Sequence, residues 1–203
     1  MKTKTFVMAC LVALMAMASN YALAGSVDVG GAKPATTKAF YSAGTAAKTA
    51  TAAGTGPFFS ICGSATKMVR VERITISGTV ATAAVYGDVI IDRTSAATSA
   101  CTATALTALP RDSTSATATA TLVNYYTVLA TAGATAGVVR SITTVFPITA
   151  TVAAQNGAVD VAEFDFQDAA PVLRGIAQCV QAFFGTTTTN APTLSVSVLW
   201  TED

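Results

Sequence analysis

The sequence contains no histidine, and it is poor in charged and aromatic residues, which account for 11% and 7% of its 203 positions. The lack of histidine excludes the commonest general base, the usual catalytic triads and the commonest zinc ligand. Its 14 glycines form no complete phosphate-binding motif, and its 4 cysteines have no C-x-x-C spacing and no neighbouring base to lower a thiol pKa. We therefore expect a protein that is not an enzyme and that carries neither a cofactor nor a metal ion.

A strong excess of either charge is also missing, because 12 basic residues stand against 11 acidic ones and the formal net charge is +1. Binding to nucleic acid requires a basic face that neutralises phosphates. We therefore expect no nucleic-acid partner. The sequence is instead rich in Ala and Thr, and such small side chains suit closely packed sheets with an uncharged surface.

The first residues have the order of a secretory signal peptide. Lys2 and Lys4 precede the apolar run "FVMACLVALMAMA", and the small-residue triplet "ALA" ends at Ala24. The run is about 13 residues long, whereas a membrane-spanning helix needs roughly 20, so we expect no stable membrane span. Residues 1–24 are predicted to be a signal peptide that is cleaved near Ala24. The alternative is an N-terminal helix buried in the protein or its assembly.

Residues 25–56 are rich in Gly, Ala and Thr and contain almost no large apolar side chain. Such a segment buries too little surface to offset the entropy lost on ordering. It is predicted to be an extended, flexible arm that either stays mobile or becomes ordered against a neighbouring subunit, where Phe40 and Tyr41 would anchor it. Residues 57–203 are long enough for one domain with a hydrophobic core.

Removal of the leader takes Cys10 away and leaves Cys62, Cys101 and Cys179. In an exported protein, three cysteines predict one disulfide and one free thiol, and all three pairings are open from the sequence. A protein that is never exported would keep three thiols without a bond. We favour a disulfide between Cys62 and Cys179, because both lie in apolar, strand-like segments while Cys101 lies in a Ser/Ala/Thr-rich loop.

After Pro57, short apolar and β-branched segments alternate with turns rich in Gly, Pro, Ser and Thr. The segment "TLSVSVLWTED" has the period of two that is typical of a strand with one buried face. The segment "KMVRVERITISGT" has the same period with a three-residue step from Val71 to Ile74, which predicts a β-bulge. Only "RGIAQCVQAFF" is compatible with a helix, and its β-branched residues and flanking Pro171 and Gly185 favour a strand. The fold class is predicted to be all-β, an antiparallel β-sandwich of the jelly-roll type.

The densest group of charges is acidic and lies on and beside one predicted strand, at Asp160, Glu163, Asp165 and Asp168. Glu163 and Asp165 share one face of this strand, and Phe164 and Phe166 share the other. A solvated strand face is the favoured interpretation, because its charges also discourage aggregation through the edge. A calcium site or a carboxylate pair is the alternative.

Arg174 lies between Leu173 and Gly175 in an apolar predicted strand. A buried guanidinium needs a carboxylate or carbonyl partner, and Asp165 and Asp168 are the nearest carboxylates in sequence. The alternative is a contact across a subunit interface, where arginine is common.

For three further sets of residues, the sequence predicts whether the side chains lie in the core or on an exposed face. Tyr125 and Tyr126 are adjacent, so one of them is expected to face away from the core. Trp200 is expected to pack in the core rather than to serve as a platform for a ligand. A last set is expected to form cross-strand ion pairs on an exposed face, namely Arg70, Glu72 and Arg73.

The order of several segments resembles a family of small virion structural proteins of tailed bacteriophages and prophages. These segments are "GSATKMVRVERITISGT", "VYGDVIIDRTSAATS", "LPRDSTSATATATLVNYYT", "VLRGIAQCVQAFF" and "SVSVLWTED". The resemblance covers roughly residues 58–203, and its most specific pieces are Leu173-Arg174-Gly175 and Trp200-Thr201-Glu202. It implies an all-β fold and a non-enzymatic role in the virion, as a capsid decoration or a head or tail accessory subunit. It also implies partners of two kinds, namely further copies of the chain in a homo-oligomer and other virion structural proteins.

The export signal and the Ala/Thr-rich segment are a departure from that family. They leave open an exported bacterial surface or fibre protein that uses the same sandwich outside the cell and binds carbohydrate. Such a protein would be secreted or held at the cell surface after cleavage near Ala24, whereas a virion protein would lie in the particle.

Overall fold

The computed structural model describes residues 38–49, 56–82, 85–98, 103–126, 131–148, 160–185 and 190–203. The predicted signal peptide, residues 25–37 and 50–55 of the predicted arm, and Cys101 lie outside the described residues. The strands are β1 (Ala39–Gly44), β2 (Lys48–Thr49), β3 (Pro57–Cys62), β4 (Met68–Thr79), β5 (Val85–Thr94), β6 (Ala103–Ala105), β7 (Leu109–Pro110), β8 (Thr121–Tyr126), β9 (Thr135–Phe146), β10 (Asp160–Asp165), β11 (Val172–Arg174), β12 (Cys179–Phe184) and β13 (Thr193–Glu202). A 3₁₀ turn, Gln167–Ala169, lies between β10 and β11.

The strands form two sheets, and every strand pairing is antiparallel. The first sheet has seven strands: β10, β4, β13, β1 and β7 follow one another, while β11 pairs with β4 and β2 pairs with β13. The second sheet has six strands in the order β6, β8, β3, β12, β5 and β9. Apolar side chains of both sheets form one buried core cluster. The predicted all-β antiparallel sandwich is therefore confirmed.

The alternation of side chains along the two longest core strands follows the sequence pattern. In β13 the residues Leu194, Val196, Val198 and Trp200 are buried in the core. In β4 the pairing with β13 shifts by one residue between Val71 and Arg73, so that Glu72 is the extra residue of a β-bulge. The bulge keeps the four apolar residues of β4 on the core side in spite of the three-residue step, namely Val69, Val71, Ile74 and Ile76.

The structure differs from the sequence prediction for the segment before Pro57. Residues 39–49 form β1 and β2, and β1 pairs with β13 along its whole length. The side chain of Tyr41 is fully buried and stacks on Trp200, with 5.7 Å between the ring centroids. The sequence is poor in apolar residues here, but pairing with a central strand and one buried ring order it. Tyr41 therefore belongs to the core of its own chain and is not free to anchor an arm on a neighbour.

Replacing Tyr41 with phenylalanine is expected to lower the free energy of unfolding by about 1 kcal/mol, because the ring stays but one hydrogen bond is lost. The hydroxyl of Tyr41 donates to the carbonyl oxygen of Ala116 at 2.8 Å. The matched control is Phe40→Ala on the solvent side of the same strand, where the ring is 45% exposed and a change below about 0.5 kcal/mol is expected. Urea unfolding of both variants measures this, and a Tyr41→Phe loss no larger than that of Phe40→Ala would contradict a stabilising hydrogen bond from Tyr41 to Ala116.

Candidate interaction surface

Cys62 and Cys179 are joined by a disulfide. The two residues are directly opposite each other in the pairing of β3 with β12, and their Cα atoms are 4.0 Å apart. Both side chains are fully buried. The bond ties together two central strands of the second sheet that are 117 residues apart in sequence, and its position gives it a structural role.

The segment Leu173-Arg174-Gly175 combines a core residue, an exposed cation and a turn. Leu173 is fully buried, and Gly175 has a φ of 81°, a left-handed conformation that favours glycine. Arg174 is exposed, and its backbone N–H donates to the side-chain oxygen of Gln178 at 2.9 Å. No ion pair of Arg174 occurs among the described residues. The guanidinium is therefore available on the surface and pairs with neither Asp165 nor Asp168, the partners that the sequence suggested.

Asp165 instead belongs to a small ion-pair network on the outer face of the first sheet. The guanidinium of Arg73 lies 3.5 Å from the carboxylate of Glu163 and 3.6 Å from that of Asp165. Phe164, between these carboxylates in sequence, is buried on the opposite side of β10. The expected cross-strand ion pairs on an exposed face are confirmed for Arg73, and Arg70 pairs with Asp203 at 3.2 Å. Glu72 instead accepts a hydrogen bond from the hydroxyl of Thr201 and forms no ion pair within the described residues. No group of three or more potential metal ligands is present in the described ranges.

A shallow groove of about 280 Å³ runs along the same outer face of the first sheet. Its walls include the guanidinium groups of Arg73 and Arg111 and the hydroxyls of Ser42, Thr75 and Ser197. Arg111 has no carboxylate within 4 Å in the described part of the chain. The groove therefore offers one cation without a charged partner and several hydroxyl groups.

Glu202 is a buried carboxylate at the end of β13, and it holds the loop before β8 against the first sheet. It accepts hydrogen bonds from the backbone N–H groups of Thr119 at 2.9 Å and Ala120 at 2.8 Å, from the hydroxyl of Thr119 at 2.7 Å and from the indole N–H of Trp200 at 3.1 Å. The Lys67 ammonium is 3.8 Å away. Burial alone would raise the pKa of Glu202, but these hydrogen bonds outweigh it and the pKa is lowered.

A row of four polar side chains crosses the second sheet on the side away from the core. Neighbouring members are directly paired across β8, β3, β12 and β5, and all are buried; they are Asn124, Ser60, Gln181 and Asp92. Hydroxyl groups cover this polar row: Tyr126 bonds with Ser60 at 2.7 Å, Thr98 donates to Gln181 at 3.2 Å and Thr135 donates to Asp92 at 2.8 Å.

Tyr126 lies outside the core cluster while Tyr125 lies in it, so the expected division of the two tyrosines is confirmed. Tyr126 is nevertheless buried, because it packs over the polar row. Burial raises the pKa of Asp92, although hydrogen bonds from Thr135 and Gln181 oppose the shift. One oxygen of Asp92 and the amide nitrogen of Gln181 have no other hydrogen-bond partner, and they face each other as acceptor and donor across a directly paired position.

β9 is the outermost strand of the second sheet and its most exposed long element. It pairs with β5 on one side, and no other strand within the described ranges pairs with its other side. Val138 and Val145 are 61% and 41% exposed, and Ile142 is also exposed. Arg140 is the one charged residue in the strand, and its guanidinium donates to the carbonyl oxygen of Asp165 at 2.8 Å. This strand therefore presents an apolar and nearly uncharged edge.

No protein-family model matches the chain, and no curated protein and no solved structure is significantly similar to it. The resemblance to virion proteins therefore rests on the quoted segments alone. No helix in the residues that the structure describes is both long and apolar enough to cross a membrane.

Two features of this surface carried little or no signal in the sequence. In the sequence, Glu202 stands out only as the last residue of Trp200-Thr201-Glu202. Its burial is indicated by its position two residues after Trp200 in an alternating strand, which places both side chains on the same face. The polar row carried no sign at Asp92 or Gln181, because alternation predicts that such positions face solvent. For Ser60, the apolar run from Pro57 to Cys62 did indicate a strand that is covered on both faces.

Proposed function

We propose that the chain is a non-enzymatic structural protein of a phage-type virion, a capsid decoration or a head or tail accessory subunit that acts by self-association and binding to the particle. The observation that carries this proposal is the exposed β9. Val138, Ile142 and Val145 are exposed along one strand whose single charge is already engaged. Long uncovered apolar edges are normally avoided by proteins that work as monomers, so such an edge fits a protein whose work is association.

We also propose that the β-sandwich is a jelly roll. Successive long strands lie in alternate sheets, with β3 in the second sheet, β4 in the first and β5 in the second again. The chain also crosses between the sheets from β9 to β10 and from β12 to β13. Such crossings are typical of double-sheet jelly rolls. The proposal further assigns the residues before β1 to a contact with a neighbouring copy.

The test is mass spectrometry of purified virions from the source strain after prophage induction. The expected result is that the chain copurifies with the particles through a density gradient, together with capsid or tail proteins, and keeps an intact Met1. A chain that is found only in particle-free medium and begins at Gly25 would contradict the proposal.

The second candidate is an exported bacterial surface or fibre protein. The disulfide between Cys62 and Cys179 favours it, because such bonds persist mainly in oxidising compartments outside the cytoplasm. Phe40 is exposed on β1 beside the groove that contains Arg111, and an aromatic ring next to hydroxyl and guanidinium groups suits a carbohydrate. Glycan binding that is abolished by Phe40→Ala would support this candidate, and an absence of glycan binding would remove its carbohydrate role.

A further inference from the structure

We propose that β9 is a homotypic docking edge, at which β9 of a second copy adds in antiparallel orientation and joins two second sheets into one continuous sheet. This inference rests on the proposed function, because it names the surface through which the subunit associates with itself. The occupant is a second copy of the chain, and the argument for it comes from the position of irregularities, charge and apolar side chains along the strand.

The two halves of β9 are protected to different degrees. In the first half, the pairing with β5 shifts register twice, and Gly137 has a φ of 146°. Such irregularities twist an edge away from another strand. From Ser141 to Phe146 the pairing with β5 is regular, and the stretch has neither a charge nor a proline before Pro147. This second half therefore lacks the usual features that block edge-to-edge pairing.

The second half is also compatible with itself in antiparallel pairing. A two-fold axis perpendicular to the sheet pairs residues that lie on the same face, and an axis at Thr143 places Thr143 opposite Thr143 of the second copy. Ser141 then lies opposite Val145, and Arg140 lies opposite Phe146. The Thr143 hydroxyl donates to the carboxylate of Asp88, the residue directly opposite on β5 of the same chain, so the pairing across the axis depends on the backbone groups of the two strands.

Charge supports a second copy over a charged partner. With the axis at Thr143, the two Arg140 residues lie about 20 Å apart along the strands, so the pairing keeps these two guanidinium groups apart. Each guanidinium also remains bonded to the carbonyl oxygen of Asp165 in its own chain. β9 carries no other charge, and the carboxylate of Asp88 beside it is already hydrogen-bonded to Thr143.

The test uses the full chain in size-exclusion chromatography with light scattering over a range of concentrations. The wild type is expected to be a dimer, or a larger assembly of dimers, and Val145→Lys to raise the dissociation constant about tenfold or more, because a lysine on an edge strand opposes pairing. Ile176→Lys is the matched control, since Ile176 is 56% exposed and lies outside β9, and it should associate like the wild type. A wild type that is monomeric, or a Val145→Lys variant that associates normally, would overturn the proposal.

Cross-linking provides a readout that does not depend on the folding of the lysine variant. In a Cys10→Ala, Cys101→Ala background, Thr143→Cys is expected to form an intermolecular disulfide under mild oxidation, since directly opposed residues of antiparallel strands have Cα atoms about 4.5–5.5 Å apart. Val138→Cys should not, because the two Val138 positions would lie about 33 Å apart. Equal cross-linking at both positions would refute this register. A wild type that is monomeric but still copurifies with virions would overturn the docking edge alone, whereas a wild-type dimer that is absent from every particle would overturn the proposed function alone.

Discussion

Replacing Glu202 with glutamine is expected to lower the free energy of unfolding at neutral pH by about 3 kcal/mol. The carboxylate accepts hydrogen bonds from Thr119, Ala120 and Trp200 while it is almost fully buried. Glutamine has one accepting oxygen, and its amide group would bring N–H donors against the N–H donors of the loop. At least one buried donor would then be left without a partner, which is the main cost of the change.

The contribution of Glu202 should also depend on pH in one direction. The pKa of Glu202 in the folded protein is lowered from its ordinary value of 4.5. A group of this kind stabilises the folded state above the pKa of the unfolded chain, and the stabilisation is lost as the pH falls through the folded pKa. The difference in stability between the wild type and Glu202→Gln should therefore be constant above about pH 5.5 and shrink below pH 4.5.

The quantity to measure is the difference in the free energy of unfolding between the wild type and Glu202→Gln, because protonation of Asp92 changes the stability in the opposite direction. Its pKa is raised in the folded state, so its protonation favours folding as the pH falls. Asp92 is present in both proteins, and its effect cancels when urea unfolding curves of the two are subtracted at each pH.

Asp203→Asn is the matched control for Glu202→Gln. It makes the same carboxylate-to-amide change one residue later, at a partly exposed ion pair with Arg70 at 3.2 Å. Pairs of this kind contribute below about 1 kcal/mol. A loss for Asp203→Asn as large as that for Glu202→Gln, or a Glu202→Gln difference that does not shrink in acid, would show that the hydrogen bonds to Glu202 do not stabilise the fold in this way.

The central strands could be predicted from the sequence because their burial is local and periodic. In β13, Leu194 to Trp200 alternate with small polar residues, and in β4 the three-residue step from Val71 to Ile74 marks the bulge before the structure is known. The segment that contains β12 is compatible with a helix, but its β-branched residues favour a strand, and the strand is confirmed. Its strand form follows from pairing on both sides, with β3 and β5, and a central strand flanked in this way is buried on both faces.

β1 and the polar row could not be predicted because their order comes from distant parts of the chain. The segment "AFYSAG" has one core ring, and it is held by β13, which lies at the other end of the described chain. Asp92 and Gln181 occupy positions that alternation assigns to solvent, and they are covered by Thr135 and Thr98 from segments outside their own strands. Local sequence patterns therefore do not predict that side chains from distant segments bury these two residues.

Removing the disulfide between Cys62 and Cys179 is expected to be the most destabilising change of all, lowering the free energy of unfolding by about 4 kcal/mol. The bond closes a loop with a sequence separation of 117 residues, and cross-linking such distant positions restricts the unfolded chain strongly. Removing the bond is expected to change the folded state little, because the backbones of β3 and β12 remain paired.

The measurement compares the double variant Cys62→Ala, Cys179→Ala with the unchanged pair, both in a Cys10→Ala, Cys101→Ala background so that no other thiol can exchange with the bond. Urea unfolding of the two proteins gives the difference, and alkylation before and after reduction, followed by mass measurement, shows whether the bond is present in the starting material. The background protein, compared with the wild type, is the control for the effect of losing the cysteine side chains that are not in the disulfide. The folded protein should resist reductant until urea is added, because both sulfurs are buried away from solvent. A double variant within about 1 kcal/mol of its control would mean that the contacts between β3 and β12 and the rest of the sandwich, rather than the covalent link, hold these strands together.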